Sequence, residues 1–325
     1  MIKIKNFNET DKEFEELARI DNLVNHDSIH HPDDDKNSWK IRDKNIIRNR
    51  LLLYDNNILI GVIYYSQGRD KNNKTCFYTL NLDPAYNHKG YRHLLYNTML
   101  EKAKKFSCNM VHTSIYDHPN YSEHKKLLIK HGFKLVQTNR EYSCDIRKVN
   151  VKKYNSLIQK LESEGVEFYD SKEEMRDFPD KFPSHYEKLE ALIWTYALDF
   201  PIPEGIKHTR MPFKQAMKLQ IDFEKNSYGA EIVAVKDSTY IASTDITVYP
   251  KAEPHKGWTG GLGVIKEFRR KGIATAIKIK AIEKLLERGV TDVRTDNEEN
   301  NPMYKINVAL GFTPEPYCYD YQRDI

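Results

Sequence analysis

The residues best suited to chemistry stand at the junction Leu262-Gly263-Val264-Ile265-Lys266-Glu267-Phe268-Arg269-Arg270-Lys271-Gly272-Ile273-Ala274-Thr275. An apolar, glycine-broken run meets three consecutive cations, then passes through Gly272 and Ala274 into an amphipathic stretch. The pattern predicts a strand, a tight turn and a helix. The first turn of a helix has backbone N–H groups without intrahelical partners and carries about half a positive charge, so an anion there is both hydrogen-bonded and attracted. Small residues at 272 and 274 let a bulky polyanion reach that backbone, and Arg269, Arg270 and Lys271 add mobile cations at the mouth. The ligand this favours is a pyrophosphate. Two plainer readings of R-R-K-G stand beside it at this point, a solvated turn and a basic contact with nucleic acid.

The elements that must hold this junction are legible on both sides. From Gly272 to Arg288, Ile279, Ile282, Leu285 and Leu286 share one face, with Lys280, Glu283, Lys284, Glu287 and Arg288 opposite, as in a helix packed on a sheet. Gly289 supplies its stop. Upstream, Tyr228 to Val235 and Tyr240 to Tyr249 read as strands paired around Lys236-Asp237-Ser238, and Gly257-Trp258-Thr259 leads into the junction. Downstream, Val290 to Thr295 and the alternating Tyr317-Cys318-Tyr319-Asp320-Tyr321 are strands.

The junction resembles the acyl-CoA-binding signature of the GNAT superfamily of N-acyltransferases, R/Q-x-x-G-x-G/A, filled here by Arg269, Gly272 and Ala274. A second stretch, Asn297-Glu298-Glu299-Asn300-Asn301-Pro302-Met303-Tyr304-Lys305-Ile306-Asn307-Val308-Ala309-Leu310-Gly311-Phe312, is similar to the family's ending, in which an Asn opens a short helix that closes on Leu-Gly-Phe. Two motifs in register are far more specific than either alone. The resemblance implies an α/β (α+β) fold whose central sheet is mixed, mostly antiparallel and flanked by helices. It implies acetyl-CoA as acyl donor, with Leu262, Gly263 and Val264 along the pantetheine, Arg269, Arg270, Lys271, Gly272, Ile273, Ala274 and Thr275 around the pyrophosphate, and Asn300 completing the site. It implies no metal.

The expected reaction is transfer of the acetyl group to a primary amine of a small molecule. Many GNAT enzymes supply an acid for the leaving thiolate as a Tyr seven residues after the motif Asn, but here that position is Asn307. A carboxamide cannot donate a proton in acid catalysis, so Asn307 either hydrogen-bonds the sulfur or anchors its helix, and Tyr304, one turn earlier, is the alternative. For the base, Asp245 and Glu231 on the preceding strands are candidates, each also readable as an ordinary strand-surface carboxylate. No Cys or Ser is accompanied by a recognisable base arrangement, so transfer is expected to be direct, without a covalent enzyme intermediate. The rival reading is a non-catalytic acyl-CoA-binding or sensing module on the same scaffold.

The first half repeats the plan in diverged form. Lys12 to Val24 and Ser38 to Leu51 read as helices, followed by a hairpin of Leu51 to Tyr54 and Ile58 to Tyr65 around Asp55-Asn56-Asn57, then a strand over Thr75 to Leu82. Asp83-Pro84-Ala85-Tyr86-Asn87-His88-Lys89-Gly90-Tyr91-Arg92 sits where the pyrophosphate loop belongs, yet Asn87 replaces the leading Arg or Gln and Arg92 the second small residue. Tyr121 and Leu128 stand where Asn300 and Asn307 stand later, before a shared Gly-Phe ending. The expected organisation is residues 1–148 as a degenerate GNAT-like domain and 149–325 as the domain with the intact signature, an arrangement shared by tandem GNAT proteins, mycothiol synthase among them.

Composition narrows the alternatives. At 325 residues two domains are expected. A net charge of +4, with 47 acidic against 51 basic residues, does not imply nucleic acid, and Lys102, Lys104 and Lys105 read as a solvated helix face. Cys76, Cys108, Cys144 and Cys318 contain no C-x-x-C pair, so reduced thiols are expected. The start lacks the apolar core of a signal peptide and no apolar run spans a bilayer, which predicts a cytoplasmic protein without a membrane partner. The run His26-Asp27-Ser28-Ile29-His30-His31-Pro32-Asp33-Asp34-Asp35 invites a metal reading, but without a ligand framework of its own it is expected to be an exposed loop.

Overall fold

The computed structural model describes residues 1–25, 27–70, 74–301 and 303–325, with His88 by its backbone alone. His26 and Pro302, both within stretches singled out above, lie outside the described residues, as do 71–73. The chain forms two compact units, residues 1–140 with 202–209 and 316–325, and residues 141–201 with 210–315.

The first unit opens with β1 (Ile2–Asn6), α1 (Asp11–Val24), α2 (Pro32–Lys40), β2 (Arg48–Asp55), β3 (Ile58–Gln67) and β4 (Thr75–Leu82). It continues through α3 (Tyr91–Lys105), β5 (Met110–Tyr116) and α4 (Ser122–Lys130), and β6 (Lys134–Asp145) carries the chain onward. Thr10 starts α1 with a reciprocal capping box to Glu13. The helix expected over Ser38 to Leu51 is not formed. Pro32 at the first turn, a cap from His31 and three aspartates at the positive end start α2 earlier, and Arg48 onward is β-strand, held by pairing to β1 and β3 on either side. The stretch read as an exposed loop is therefore helical from Pro32. Its His30 Nδ1 lies 3.5 Å from Asp35 and 3.8 Å from the buried Asp21 of α1, and Asp21 also takes hydrogen bonds from Tyr64 and Asn81.

The second unit contains α5 (Asn155–Ser163), β7 (Val166–Asp170), α6 (Ser171–Asp177), α7 (Phe182–Ala197), α8 (Phe213–Glu224), β8 (Tyr228–Lys236), β9 (Thr239–Val248) and β10 (Lys256–Val264). Then come α9 (Ile273–Glu287), β11 (Asp292–Glu298) and α10 (Tyr304–Ala309), before β12 (Thr313–Asp324), which belongs to the first unit from Pro316 on. Its strands run in the order β11-β10-β9-β8-β7, antiparallel except for the parallel β10–β11 pair. On one face α9 buries Ile273, Ala276, Ile277, Ile279, Ala281, Ile282 and Leu285 against Ile232, Ala234, Ile241 and Ile246 of the sheet. Each such Ile or Leu contributes about 1.5–3 kcal/mol on full burial, so this helix is held by tertiary contact rather than by its own propensity. On a separate patch α7 packs Leu189, Leu192 and Tyr196 against Val233 and Val235.

In the first unit the order is β1-β2-β3-β4-β5-β12, because Cys318 to Asp324 of β12 pair antiparallel with Tyr116 to Met110. That mostly antiparallel sheet again contains one parallel pair, β4–β5. Among the described residues no helix is long and apolar enough to cross a membrane.

Candidate acyl-donor site in the second unit

The site begins with an opening in the sheet. β10 and β11 pair only from Lys256–Asp292 to Trp258–Arg294, although β10 continues to Val264 and β11 to Glu298. Among the described residues no strand lies beside the β10 edge beyond Trp258 in that direction, which is the geometry that accepts an extended amide chain as an added strand. A bulge between Thr259 and Gly261 lies just past the point of separation, and the Thr259 hydroxyl there is buried without a hydrogen-bond partner. Bulges re-aim backbone groups out of the ladder.

Leu262, Gly263 and Val264 form the end of β10. The face of Gly263 is covered by α7. A Cβ at this position would meet the Tyr196 ring at 2.2 Å, and the Tyr196 hydroxyl lies 2.8 Å from Ser243 Oγ on β9. The strand edge is therefore what Leu262 to Val264 can offer a ligand. After a short turn, Arg269 donates from Nε to the Val264 carbonyl at 2.8 Å and its guanidinium pairs with Asp199 just past α7. Lys266 reaches the same carboxylate at 3.6 Å. Both cations hold the Asp199 carboxyl below its usual range, Arg269 contributing most. Arg270 and Lys271 are exposed.

Gly272 caps α9 with φ +86°, a conformation costly for any side chain, and a Cβ there would also press on Leu157 of α5 at 2.7 Å. Its glycine is thus required by the turn and by packing, beyond the approach of a ligand. Ile273 is buried in the core, while Ala274 and Thr275 stay partly accessible in the first turn. No side chain caps this helix start, so its free N–H groups remain available to an anion.

Two carboxylates lie on the neighbouring strands. Asp245 on β9 is registered opposite Gly261 of β10 and opposite Glu231 of β8. Its carboxylate rests on the bulge, since a Cβ at Gly260 would fall 2.1 Å from Asp245 Oδ2. Burial is the main reason the Asp245 carboxyl is pushed up to about 6, the charge of Glu224 adding to it while Lys172 opposes. Glu231 is pushed up to about 7, first by burial and then by Asp245, and it accepts a hydrogen bond from Ser171. The two carboxylates face each other across the β8–β9 pair, Glu231 buried and Asp245 partly so, and both are pushed up from the usual carboxylate range.

The second motif is arranged differently from expectation. Asn300 does not open the helix. It is exposed in the turn after β11, where its amide and backbone N–H both donate to Glu298, and α10 begins four residues later at Tyr304. Tyr304 is partly buried at that helix start. Asn307 is 3% exposed, donates to Asn297 Oδ1 at 2.7 Å and accepts from the ammonium of Lys278 on α9. Lys278 was not singled out by the helical pattern. The signal was present, because position 278 falls four residues after Ala274 and four before Ile282, on the inward side of α9.

The corresponding place in the first unit is filled by side chains. β4 and β5 also separate after three paired residues, and Gly90 repeats the left-handed turn at φ +73°. But Arg92 is 5% exposed with Nη2 on Asn87 Oδ1 at 3.0 Å, and burial depresses its guanidinium to about 10. Tyr121 and Leu128 are buried in the same core.

The acetyltransferase (GNAT) family matches the sequence over residues 12–133 and again over 189–308. No curated protein matches it. Among solved structures, a tandem GNAT protein from the clavulanic acid biosynthesis pathway superposes with a TM-score of 0.76 at 14% identity, covering 100% of this chain and 98% of that one. A GCN5-related glucosamine N-acetyltransferase region of a fungal multi-domain GH3 β-N-acetylglucosaminidase gives 0.73 at 15% identity, over 99% of this chain and 38% of that one. A GCN5-related N-acetyltransferase from Sphaerobacter thermophilus gives 0.66 at 12% identity, over 99% and 95%.

Proposed function

Because the chain belongs to the acetyltransferase (GNAT) family, we propose that its second unit is an acyl-CoA-dependent N-acyltransferase that passes an acetyl group from acetyl-CoA directly to a primary amine of a small molecule. The observation that carries this reading is the opening between β10 and β11, with a cation-lined helix start at one end and the Asp245 carboxylate over the bulge. Each feature suits one part of the donor. The β10 edge from Thr259 to Val264 pairs with the pantetheine amides. The N–H groups of Ile273, Ala274 and Thr275, with Arg269, Arg270 and Lys271, hold the pyrophosphate, and Arg269 exchanges Asp199 for phosphate oxygens.

For the chemistry, Asp245 accepts a proton from the attacking amine, as a carboxylate poised near neutrality can. Glu231 beside it holds the complementary protonation state, because two adjacent carboxylates, one buried and one partly so, do not ionise together at little cost. Backbone N–H groups at the bulge face the thioester carbonyl and stabilise the charge that develops on its oxygen. No enzyme nucleophile is assigned. Cys144 is buried and its thiol is pushed up to about 11 by that burial, the opposite of an activated thiolate.

The test is thiol release from acetyl-CoA with a panel of benzylamine, spermidine, glucosamine and a lysine-containing peptide. Amine-dependent release with stoichiometric acetyl-amine supports transfer. Tight acetyl-CoA binding without release for any amine would favour the sensing module instead, and an acetylated cysteine trapped on the way to product would overturn direct transfer.

A further inference from the structure

The run of histidines and aspartates that leads into α2 has no ligand spacing of its own, but the fold sets it against α1 of the first unit. His30 Nδ1 lies 3.5 Å from Asp35 Oδ1 of α2 and 3.8 Å from Asp21 Oδ2 of α1. One donor atom from each of the three residues falls within 4.8 Å of the other two. Both imidazole separations are longer than an N–H···O hydrogen bond of about 2.7–3.2 Å. They are close to the spacing of ligands around a tetrahedral zinc ion, whose bonds of about 2.0–2.1 Å set neighbouring donor atoms about 3.4 Å apart. The side chains of His30 and Asp35 are 30% and 22% accessible, so an ion can enter from solvent on that side, while Asp21 closes the other side as a buried carboxylate.

The groups around these three are arranged as supports. The Tyr64 hydroxyl donates to Asp21 Oδ2 at 2.5 Å and Asn81 Nδ2 donates to Asp21 Oδ1 at 2.8 Å, which fixes the plane of the carboxylate. Asn81, on β4, is 2% exposed, and the oxygen of the carboxamide that rests on Asp21 is buried without a hydrogen-bond partner. What that oxygen lacks is a donor, and a water held by an ion at Asp21 is one. On the far side of the imidazole, His30 Nε2 is 3.0 Å from Asn25 Nδ2, and the Tyr121 hydroxyl is 3.1 Å from Asn25 Oδ1. A hydroxyl can give or take and a carboxamide can turn over, so this chain can run in the sense that puts the imidazole proton on Nε2 and leaves the Nδ1 lone pair towards the two carboxylates. A ligating histidine has that form, its second nitrogen donating to a neighbour. Burial pushes the Asp21 carboxyl up, with His30, Tyr64 and Asn81 opposing and the charge of Asp35 adding to the push, so a cation between the carboxylates relieves both burial and repulsion.

We propose that Asp21, His30 and Asp35 form a divalent transition-metal site in the first unit, with zinc as the ion these donors fit best. An imidazole among the ligands favours zinc over magnesium or calcium, which take oxygen donors. Three protein ligands leave a fourth position to water, the pattern of an open zinc site rather than a closed structural one. The ion ties α2 and the segment before it to α1, since one ligand comes from α1, one from α2 and one from the residues that join them. All three ligands belong to the first unit, so the proposal neither rests on the acyl-transfer reading nor tests it.

The test is calorimetric titration of the full chain, stripped with EDTA and dialysed, with ZnCl2 and separately with MgCl2. The wild type should bind one Zn2+ at this site, far more tightly than Mg2+, and the ion should raise the melting temperature. His30→Gln and Asp35→Asn change partly exposed side chains and should fold, which far-ultraviolet circular dichroism checks. Each should weaken Zn2+ by more than the roughly 10- to 100-fold that loss of a supporting group costs, and Tyr64→Phe, which removes one hydrogen bond to Asp21, should weaken it within that range. His31→Gln, in the neighbouring His31–Asp33 pair, should leave the isotherm as it is. Co2+ should give visible d–d bands in the wild type that are missing in His30→Gln. A wild type that takes up no Zn2+ would overturn the assignment. So would uptake that His30→Gln and Asp35→Asn leave unchanged, which would place the ion at another surface group or at a thiol.

Discussion

At the scale of single residues, burial moves several groups of the second unit from their ordinary protonation behaviour. Asp245 sets the first prediction. With its carboxyl pushed up to about 6, the rate should climb as pH rises through that value, and Asp245→Asn should flatten the climb and lower kcat by about 10²–10⁴-fold with little change in CoA affinity. Lys278 sets a second, on stability. Its folded-state pKa is depressed, so the native state binds fewer protons there than the unfolded chain, and stability is lost as pH falls from the unfolded value of 10.5 towards about 8. Lys278→Met should therefore raise the melting temperature at pH 7, by a free energy on the order of 3 kcal/mol, and the gain should shrink as pH approaches 10.5. Thermal melts of both proteins across pH check it. Asp245 could be named from sequence because it sits on a strand beside the signature. Lys278 could be read as an inward position of α9, but the helical pattern does not say which polar group satisfies it.

At the scale of elements, two contacts hold the site in shape. Gly260 lets the Asp245 carboxylate lie on the β10 bulge, and its backbone needs no left-handed conformation, so Gly260→Ala should fold. The new Cβ, 2.1 Å from Oδ2, must push the carboxylate aside, which predicts a loss of kcat at nearly constant CoA affinity. In the proposed site Asp199, just past α7, competes with phosphate for Arg269, so Asp199→Asn should tighten CoA binding several-fold at low salt, an effect that isothermal titration would show fading as ionic strength rises. Long periodic elements such as α9 and the β8–β9 hairpin were legible because burial repeats with a fixed period. The strand from Arg48 was not, since its first three residues are polar and only pairing to β1 and β3 makes it extended. β1 went unseen for a similar reason: five residues alternating Ile with Lys carry little signal until β2 is beside them.

At the scale of the whole molecule, the proposed donor site belongs to the second unit alone, because Arg92, Tyr121 and Leu128 stand buried at the corresponding positions of the first. Calorimetry should give one CoA per chain, and two would show that the first unit binds as well. The tandem plan was readable from two signature regions, one intact and one worn. The destination of the last strand was not, for Ser114 and Asp320 bond across 206 residues and no local pattern names such a partner. Deleting residues 316–325 removes the neighbour of β5 and should abolish the first unit's cooperative melt while sparing CoA binding by the second. That pairing also sets an order of events on the ribosome. Residues 141–315 can emerge and close their own sheet while the β5 edge, made long before, still waits for a strand not yet translated. The half of the protein that is synthesised first thus completes its sheet only once its last strand has been made, and until then the β5 edge is open to pairing with another chain.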